Sequence, residues 1–265
     1  METKGPGDAE KLATRAIEQG YSTVIAAGGD GTVYEVLNGL VAAKANPDEI
    51  RLGVLPLGTV NVFAKELGMP MNAMQCREVL LRGNSCLVDL PITFFTREGS
   101  QQQRAFAQLG GAGLDALAIQ EVSFKIKKRL GPLAYIIAGL KVLGRNLPCI
   151  HCHTPDGEKA SGKLILIGNG AYYGGRFRVF PDAALDDGCL HALVFREVKW
   201  LELPRRGLGL WFDRLHTQPG VTYIKAKSLK LESADHVPFE LEGEVVGQLP
   251  TEFKISSDKL QVIVP

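Results

Sequence analysis

The sequence predicts a two-lobed fold, an N-terminal α/β lobe built on a parallel, nucleotide-binding sheet and a β-rich C-terminal lobe. Three observations predict it. Up to residue 87, short apolar runs alternate with stretches of helical period, the pattern of β-α-β units. Beyond residue 87, short apolar or alternating runs separated by turn residues dominate. Two loops, Gly28-Gly29-Asp30-Gly31-Thr32 and Pro56-Leu57-Gly58-Thr59, each close a strand and open a helix, where open α/β sheets bind ligands. The lobes are therefore assigned to residues 1–87 and 88–265.

Taken in order, Asp8 to Gln19 carries Leu12, Ala13, Ala16 and Ile17 at helical spacing, with Gly20 as a stop. Ser22 to Ala27 is short, apolar and partly β-branched, as expected of a strand covered on both faces. Val33 to Ala43 puts Val33, Val36, Leu37, Leu40 and Val41 on one face of a helix, and Arg51 to Leu55 is the next strand. A helical stretch runs from the Gly58 turn to Leu67, Pro70 breaks it, and Ala73 to Arg82 is a further helix. In the second lobe, LVDLPITFF, RAFAQLGG, KLILIGNGA, CLHALVF, SLKLES, FKIS and LQVIVP read as strands. Helical stretches interrupt them at Leu114 to Lys127, Leu133 to Leu143 and about Lys199 to His216.

The chain has 265 residues, 45% hydrophobic and 22% charged, which is globular rather than disordered composition. A net charge of +1 supplies no global field for nucleic acid, so no nucleic-acid partner is expected. Residues 1–10 hold no apolar run of signal-peptide type, and Leu133 to Leu143 falls short of the roughly 20 residues of a membrane span. The expected location is cytoplasmic, with peripheral contact at the inner face of the membrane. Five cysteines, an odd number at irregular spacing, read as reduced thiols.

Phosphate oxygens at a strand-to-helix turn need backbone N–H groups aimed at them, and glycines let the chain approach that closely. Gly28, Gly29 and Gly31 supply this, Thr32 adds a hydroxyl at the expected N-cap, and Asp30 offers a carboxylate to a metal-bound triphosphate or to an acceptor hydroxyl. An ordinary glycine-rich turn with an Asp cap would use the same residues. So would a Thr or Asn cap at the second loop. Their occurrence together favours a crevice.

GGDGTVYEVLNGL with PLGTVNVFAKELGMP resembles the catalytic domain of diacylglycerol kinases and their bacterial lipid kinase relatives, a superfamily that includes sphingosine kinases and NAD kinases. GGAGLDA at 110–116, KKRLGPLAY at 127–135 and NGAYYGGRFRVFPDAALDDGCL at 169–190 resemble that family's second-lobe motifs in the same order. The resemblance implies a β-sandwich-like second lobe. It places nucleotide contacts on Thr3, on Gly28, Gly29, Asp30, Gly31, Thr32, Val33 and Tyr34, and on Gly58 and Thr59. It implies a structural magnesium at Asp187 with main-chain oxygens of Ala184 and Cys189, where a hairpin turn is the plainer meaning of Asp186-Asp187-Gly188.

Leu241-Glu242-Gly243-Glu244 resembles the family's Leu-Asp-Gly-Glu motif, which makes Glu244 the general base alongside Asp30. Glu242 stands where the family has Asp, one methylene longer, and an exposed acidic turn is the commoner meaning of such a cluster. Family members begin with a strand and an Asn-Pro-x-x-Gly loop ahead of the Thr3 region, and Tyr34 replaces a frequent Asn. A sheet lacking that strand would have a different edge and a nucleotide site short of one wall, as in a fragment or in a protein that has given up part of its site.

Cys149-Ile150-His151-Cys152-His153 matches a haem-attachment or zinc pattern, but its alternation reads better as a strand. Gly111 to Ala116 fits a dinucleotide fingerprint without the acidic residue that should follow. Lys125, Lys127, Lys128 and Arg129 beside Leu133 to Leu143, and Arg205 and Arg206 near Trp200, Leu208 and Trp211, suit an anionic lipid surface as well as a solvated helix face. The expectation is an ATP- and Mg2+-dependent kinase acting on a lipid hydroxyl at a membrane surface, with a homodimer compatible. A non-catalytic nucleotide- or lipid-binding protein and a kinase of a soluble substrate such as NAD are the alternatives.

Overall fold

The computed structural model describes residues 1–121, 139, 141–143 and 145–265. KKRLGPLAY, the cationic residues from Lys125 to Arg129 and most of Leu133 to Leu143 lie outside the described residues.

The first lobe opens with α1 (Asp8–Glu18), which buries Ala9 and Ala13 against α2 (Asp30–Ala42). A Cβ at Gly39 would come within 2.3 Å of the Glu10 carbonyl oxygen, so glycine sets how closely these helices approach. The N-terminus of α1 has no side-chain cap of its own. Glu35 of α2 supplies one, accepting from Gly7 N at 2.7 Å and Ala9 N at 3.0 Å. Between the helices runs β1 (Thr23–Gly28), parallel to β2 (Arg51–Pro56) with Thr23 opposite Arg51.

Strand β1 is an edge strand, covered on one face only, in contrast to the expectation from its apolar sequence. Helix α2 packs on one side, whereas α4 (Ala73–Arg82) seats on β2 on the other, leaving Ile25 47% exposed. The helix expected up to Leu67 is the short α3 (Val62–Glu66), entered through Asn61 in the left-handed region at φ 55°. Helix α4 is capped by Asn72, which accepts from Met74 N and Gln75 N.

From there the chain is mainly β. Long β3 (Ser85–Arg97) turns into β4 (Ser100–Ala105), and β5 (Leu109–Gly113) leads into α5 (Leu114–Glu121). Strands β6 (Ile150–His153), β7 (Lys159–Gly162) and β8 (Leu164–Gly168) follow, then a small hairpin of β9 (Tyr172–Tyr173) and β10 (Phe177–Arg178), then β11 (Leu190–Phe195). The helical stretch expected from Lys199 to His216 is broken into a 3-10 turn, α6 (Leu203–Trp211) and a second 3-10 turn. Strands β12 (Val221–Ala226), β13 (Ser228–Glu232), β14 (Pro238–Leu241), β15 (Glu244–Gln248) and β16 (Thr251–Ile263) complete it.

Two sheets result. One runs β1-β2-β16-β13-β6-β7, with β3 also paired to β16 and β4 to β3; the other runs β12-β11-β8-β5-β14-β15. Their inner faces meet over Ile150, Ile165, Ile167, Leu229, Leu231 and a set of phenylalanines, Phe95, Phe106, Phe239 and Phe253, in edge-to-face contact at 5.2–5.9 Å. The second lobe is thus sandwich-like. The first sheet is mixed, because β16 pairs antiparallel with β3 and β13 but parallel with β2 through Gln261 and Val262. One strand is thereby shared by both lobes. Cys152 faces the core from β6, and its neighbours His151 and His153 pair with Ser161 and Lys159 of β7, the strand read from alternation.

Candidate active site

Gly28 ends β1 and Gly29 caps α2, so the loop is little more than the turn itself. Thr32 is therefore inside the first turn rather than at the N-cap, and the Gly29 carbonyl accepts from its N–H at 2.9 Å. Its side chain lies over Gly28, where a Cβ would come within 2.2 Å of Thr32 Oγ1. The N–H groups of Asp30 and Gly31, ahead of those first intrahelical bonds, stand at the helix start beside the strand end, the geometry that receives an anion.

The second loop closes against the first. A Cβ on Gly58 would stand 2.4 Å from the Gly29 Cα, so Gly58 must lack a side chain, and one on Gly29 would be a tight 3.2 Å from the Gly58 Cα. Asn61 holds the Gly58 turn from both sides, accepting from Gly58 N at 3.0 Å and donating to Gly58 O at 2.8 Å. Asp30 links the loops through Oδ1, which accepts from Phe63 N at 3.2 Å in the first turn of α3. Thr59 is exposed on this loop, and Thr3 is exposed in the coil before α1. Val33 and Tyr34 turn inward to the two cores. Burial raises the Tyr34 hydroxyl pKa well above its ordinary value, with Arg104 opposing and Glu244 and Glu242 adding to the rise.

The acidic turn between β14 and β15 arrives from the second lobe. Glu242 (φ 51°) and Gly243 (φ 80°) form it in left-handed conformations. Glu242 is not the exposed acidic residue its frequency would suggest. Its Oε1 accepts from the backbone N–H groups of Ala107, Gln108 and Leu109 at 2.9, 2.7 and 3.2 Å, while Oε2 is buried without a partner among the described residues. Burial lifts its pKa to about 7 against the pull of those three donors, with Asp30 adding to the rise. Glu244 lies on the exposed side of the turn, and its Oε1 is 3.4 Å from where a Cβ on Gly31 would be. The glycine loop of one lobe and the carboxylate of the other therefore face each other.

Residues 105–109 hold that meeting in place. Asn38 of α2 bonds both Ala105 N and Ala105 O at 3.0 Å. Asn169 donates to Ala107 O at 3.0 Å, and Glu66 of α3 accepts from Gln108 Nε2 at 2.6 Å and from Tyr172 N at 2.9 Å. Behind the turn, Asp115, Glu240 and Tyr173 form an interior cluster. The Tyr173 hydroxyl donates to Asp115, and a Cβ on Gly111 would lie 3.1 Å from Glu240 Oε1 and 3.3 Å from Asp115 Oδ2. Burial raises the pKa of both carboxyls.

The Ala184–Cys189 loop is elsewhere. Asp187 Oδ1 accepts from Cys189 N at 3.0 Å, and Oδ2 from His191 Nε2 at 2.8 Å and Lys225 Nζ at 2.9 Å. Burial alone would raise the Asp187 pKa, but those two side-chain bonds outweigh it and lower it. The Ala184 carbonyl accepts from Asp187 N at 3.2 Å. Asp187 thus has an imidazole and a lysine ammonium on one carboxylate oxygen and the Cys189 N–H on the other. Among the described residues there is no group of three or more His, Cys, Asp or Glu able to hold a metal ion. The loop is instead fastened to the sheet by buried Asp89, which accepts from Gly188 N at 2.7 Å and pairs with Lys259.

The family model described as the diacylglycerol kinase catalytic domain matches residues 1–91, and that described as the YegS C-terminal NAD kinase beta sandwich-like domain matches residues 110–264. A diacylglycerol kinase of Staphylococcus carnosus is 31% identical over 99% of this chain and 83% of its own length. The chain belongs to the diacylglycerol kinase family. One from Staphylococcus saprophyticus is 33% identical over the same shares. A crystal structure of a family member from Bacillus anthracis superposes with a TM-score of 0.79 at 24% identity, over 99% of this chain and 83% of the other, a likeness of fold. The chain is accordingly a phosphotransferase of lipid-kinase type.

Glu66, Gln108 and Glu240 carry no role in the motifs of the sequence, although Glu240, Glu242 and Glu244 alternate along one apolar strand and turn. Asp89 likewise sits alone among apolar residues of β3. An ionisable residue at a core position of a strand is the signal that could have found both.

Proposed function

We propose that the protein transfers the terminal phosphoryl group of ATP to a hydroxyl of diacylglycerol or a related lipid at a membrane surface. The single observation that carries this reading is the approach of Glu244 Oε1 to Gly31 across the lobe boundary. It sets a base beside the place where the α2 amides would hold the phosphates. The acceptor oxygen attacks the γ-phosphorus as the bond to the bridging oxygen breaks, its electron pair leaving with ADP. The hydroxyl proton passes to the Glu244 carboxylate. Asp30, at the helix start and tied to α3, is the carboxylate placed to meet the magnesium that accompanies ATP, which would neutralise phosphate charge. Glycine at Gly31 adds no side chain between the helix start and Glu244, and Gly58 lets the second loop close on Gly29.

The test is transfer from labelled ATP, with Mg2+, to a panel of lipids. Glu244→Gln should lower kcat by about 100-fold or more with ATP affinity nearly unchanged, as removal of a general base requires. Asp30→Asn should lower kcat and weaken the Mg2+ dependence. ATP binding with no transfer to any lipid would overturn the reading.

A further inference from the structure

The outer surface of α6 and its flanking turns runs against the rule that a helix turns its apolar side inward. Leu210 packs against the core, and Arg206 one turn before it is buried with its guanidinium 5.5 Å from the Phe195 ring centroid. Its charge is met inside by Glu202 and Gln218 at 3.2 Å each. On the opposite side, Leu201, Leu208, Trp211 and Phe212 follow at helical spacing and are 94%, 61%, 62% and 65% exposed, with Trp200 adjacent at 51%. Five large apolar side chains in one patch exceed the scattered exposure of an ordinary surface. With the described residues in place, each stays more than half exposed.

The surrounding charge selects the occupant. Across residues 196–214 and the β10 strand with Arg176, the exposed cations are Arg176, Arg178, Arg196, Lys199, Arg205 and Arg214, against the carboxylates Glu197, Glu202 and Asp213. The Arg176 guanidinium lies 4.6 Å from the Trp211 ring centroid, its head toward the patch rim. Exposed indole and phenyl rings on a segment with an excess of cations, the Arg176 guanidinium lying against Trp211, fit the boundary between lipid headgroups and acyl chains, where both are at home. A second copy of the chain would bring like charge to like.

The patch also connects to the cleft. Arg176 belongs to the β9–β10 hairpin, whose Gly175 packs on Val60 of the Gly58–Asn61 loop and whose Tyr172 is bonded to Glu66. A surface seated on α6 thus lies one hairpin away from the loop that faces Glu244.

We propose that Trp200, Leu201, Leu208, Trp211 and Phe212, with Arg176 and the other exposed cations of this segment, form the surface by which the protein seats on an anionic lipid bilayer. Its purpose rests on the lipid-kinase reading, but its measurement does not. Trp200 and Trp211 are the two tryptophans of the chain, so fluorescence excited selectively in tryptophan reports this surface. Vesicles containing phosphatidylglycerol should shift the emission to the blue, and bromine-labelled acyl chains should quench it; neutral vesicles or high salt should weaken both. The pair Leu208→Ser and Phe212→Ser should lower vesicle partitioning by roughly tenfold or more, while turnover of a short-chain diacylglycerol dispersed below its micelle concentration stays unchanged. Unaltered emission and quenching with anionic vesicles would overturn the docking surface, whatever the kinase activity. A concentration-dependent blue shift without vesicles would make it an interface between copies instead. Vesicle docking in a protein that transfers no phosphate to any lipid would sink the kinase reading and leave this surface standing.

Discussion

Glu242 ionises in the folded chain near pH 7, well above an ordinary glutamate, because its carboxylate is interior and Asp30 is close. Between about pH 4.5 and pH 7 the folded state therefore binds more protons than the unfolded state, and this contribution to stability is lost as pH rises through that window. Glu242→Gln keeps an oxygen for the three amides of residues 107–109 and cannot ionise. The stability difference between wild type and this variant, from urea midpoints, should shift by on the order of 3 kcal/mol in the variant's favour between pH 4.5 and pH 8. A flat difference would place the ionisation elsewhere. Glu242→Ala strips the acceptor from three buried N–H groups and should destabilise at every pH, by roughly 3 kcal/mol.

Glycines at two contacts between elements have opposite balances to weigh. In α2, replacing Gly39 with alanine gains about 1 kcal/mol of helix propensity, but the new methyl meets the α1 backbone at 2.3 Å. Backbone cannot rotate away as a side chain would, so overpacking of about 1–3 kcal/mol decides the sign. Gly39→Ala should lower the melting temperature without changing the ATP KM. Gly58→Ala forces the two loops apart at Gly29, and it should raise the ATP KM by at least about tenfold because the phosphate-facing turn loses its shape. Those two measurements separate packing from site. The strand-turn-helix units carrying both loops were legible in the sequence, since buried strands and glycine turns are local patterns. The contact between Gly29 and Gly58 was not, because it depends on β1 and β2 being neighbours in register.

On the scale of the whole molecule, β16 ties the lobes into one unit. It pairs along most of β3, then reaches β2 of the first sheet, and the segment 105–109 is bonded by side chains from both sides. Unfolding one lobe would unpair a central strand of the other. The chain should therefore melt in a single transition, with near- and far-ultraviolet dichroism coincident; two separated transitions would mean that the shared strand is not limiting.

The sequence by itself determined the α/β and β-rich halves, the glycine loop at a strand end, and the family, because periodicity, turn chemistry and ordered motifs are written in neighbouring residues. It did not determine what Glu242 and Glu244 do. They are two residues apart on one turn, yet one is an interior carboxylate bonded to residues 107–109 and the other faces Gly31. Only the tertiary structure decided that division, for a physical reason. Left-handed backbone at Glu242 and Gly243 turns the two side chains to different sides, and the partners that give each its role come from strands and loops far away in the chain.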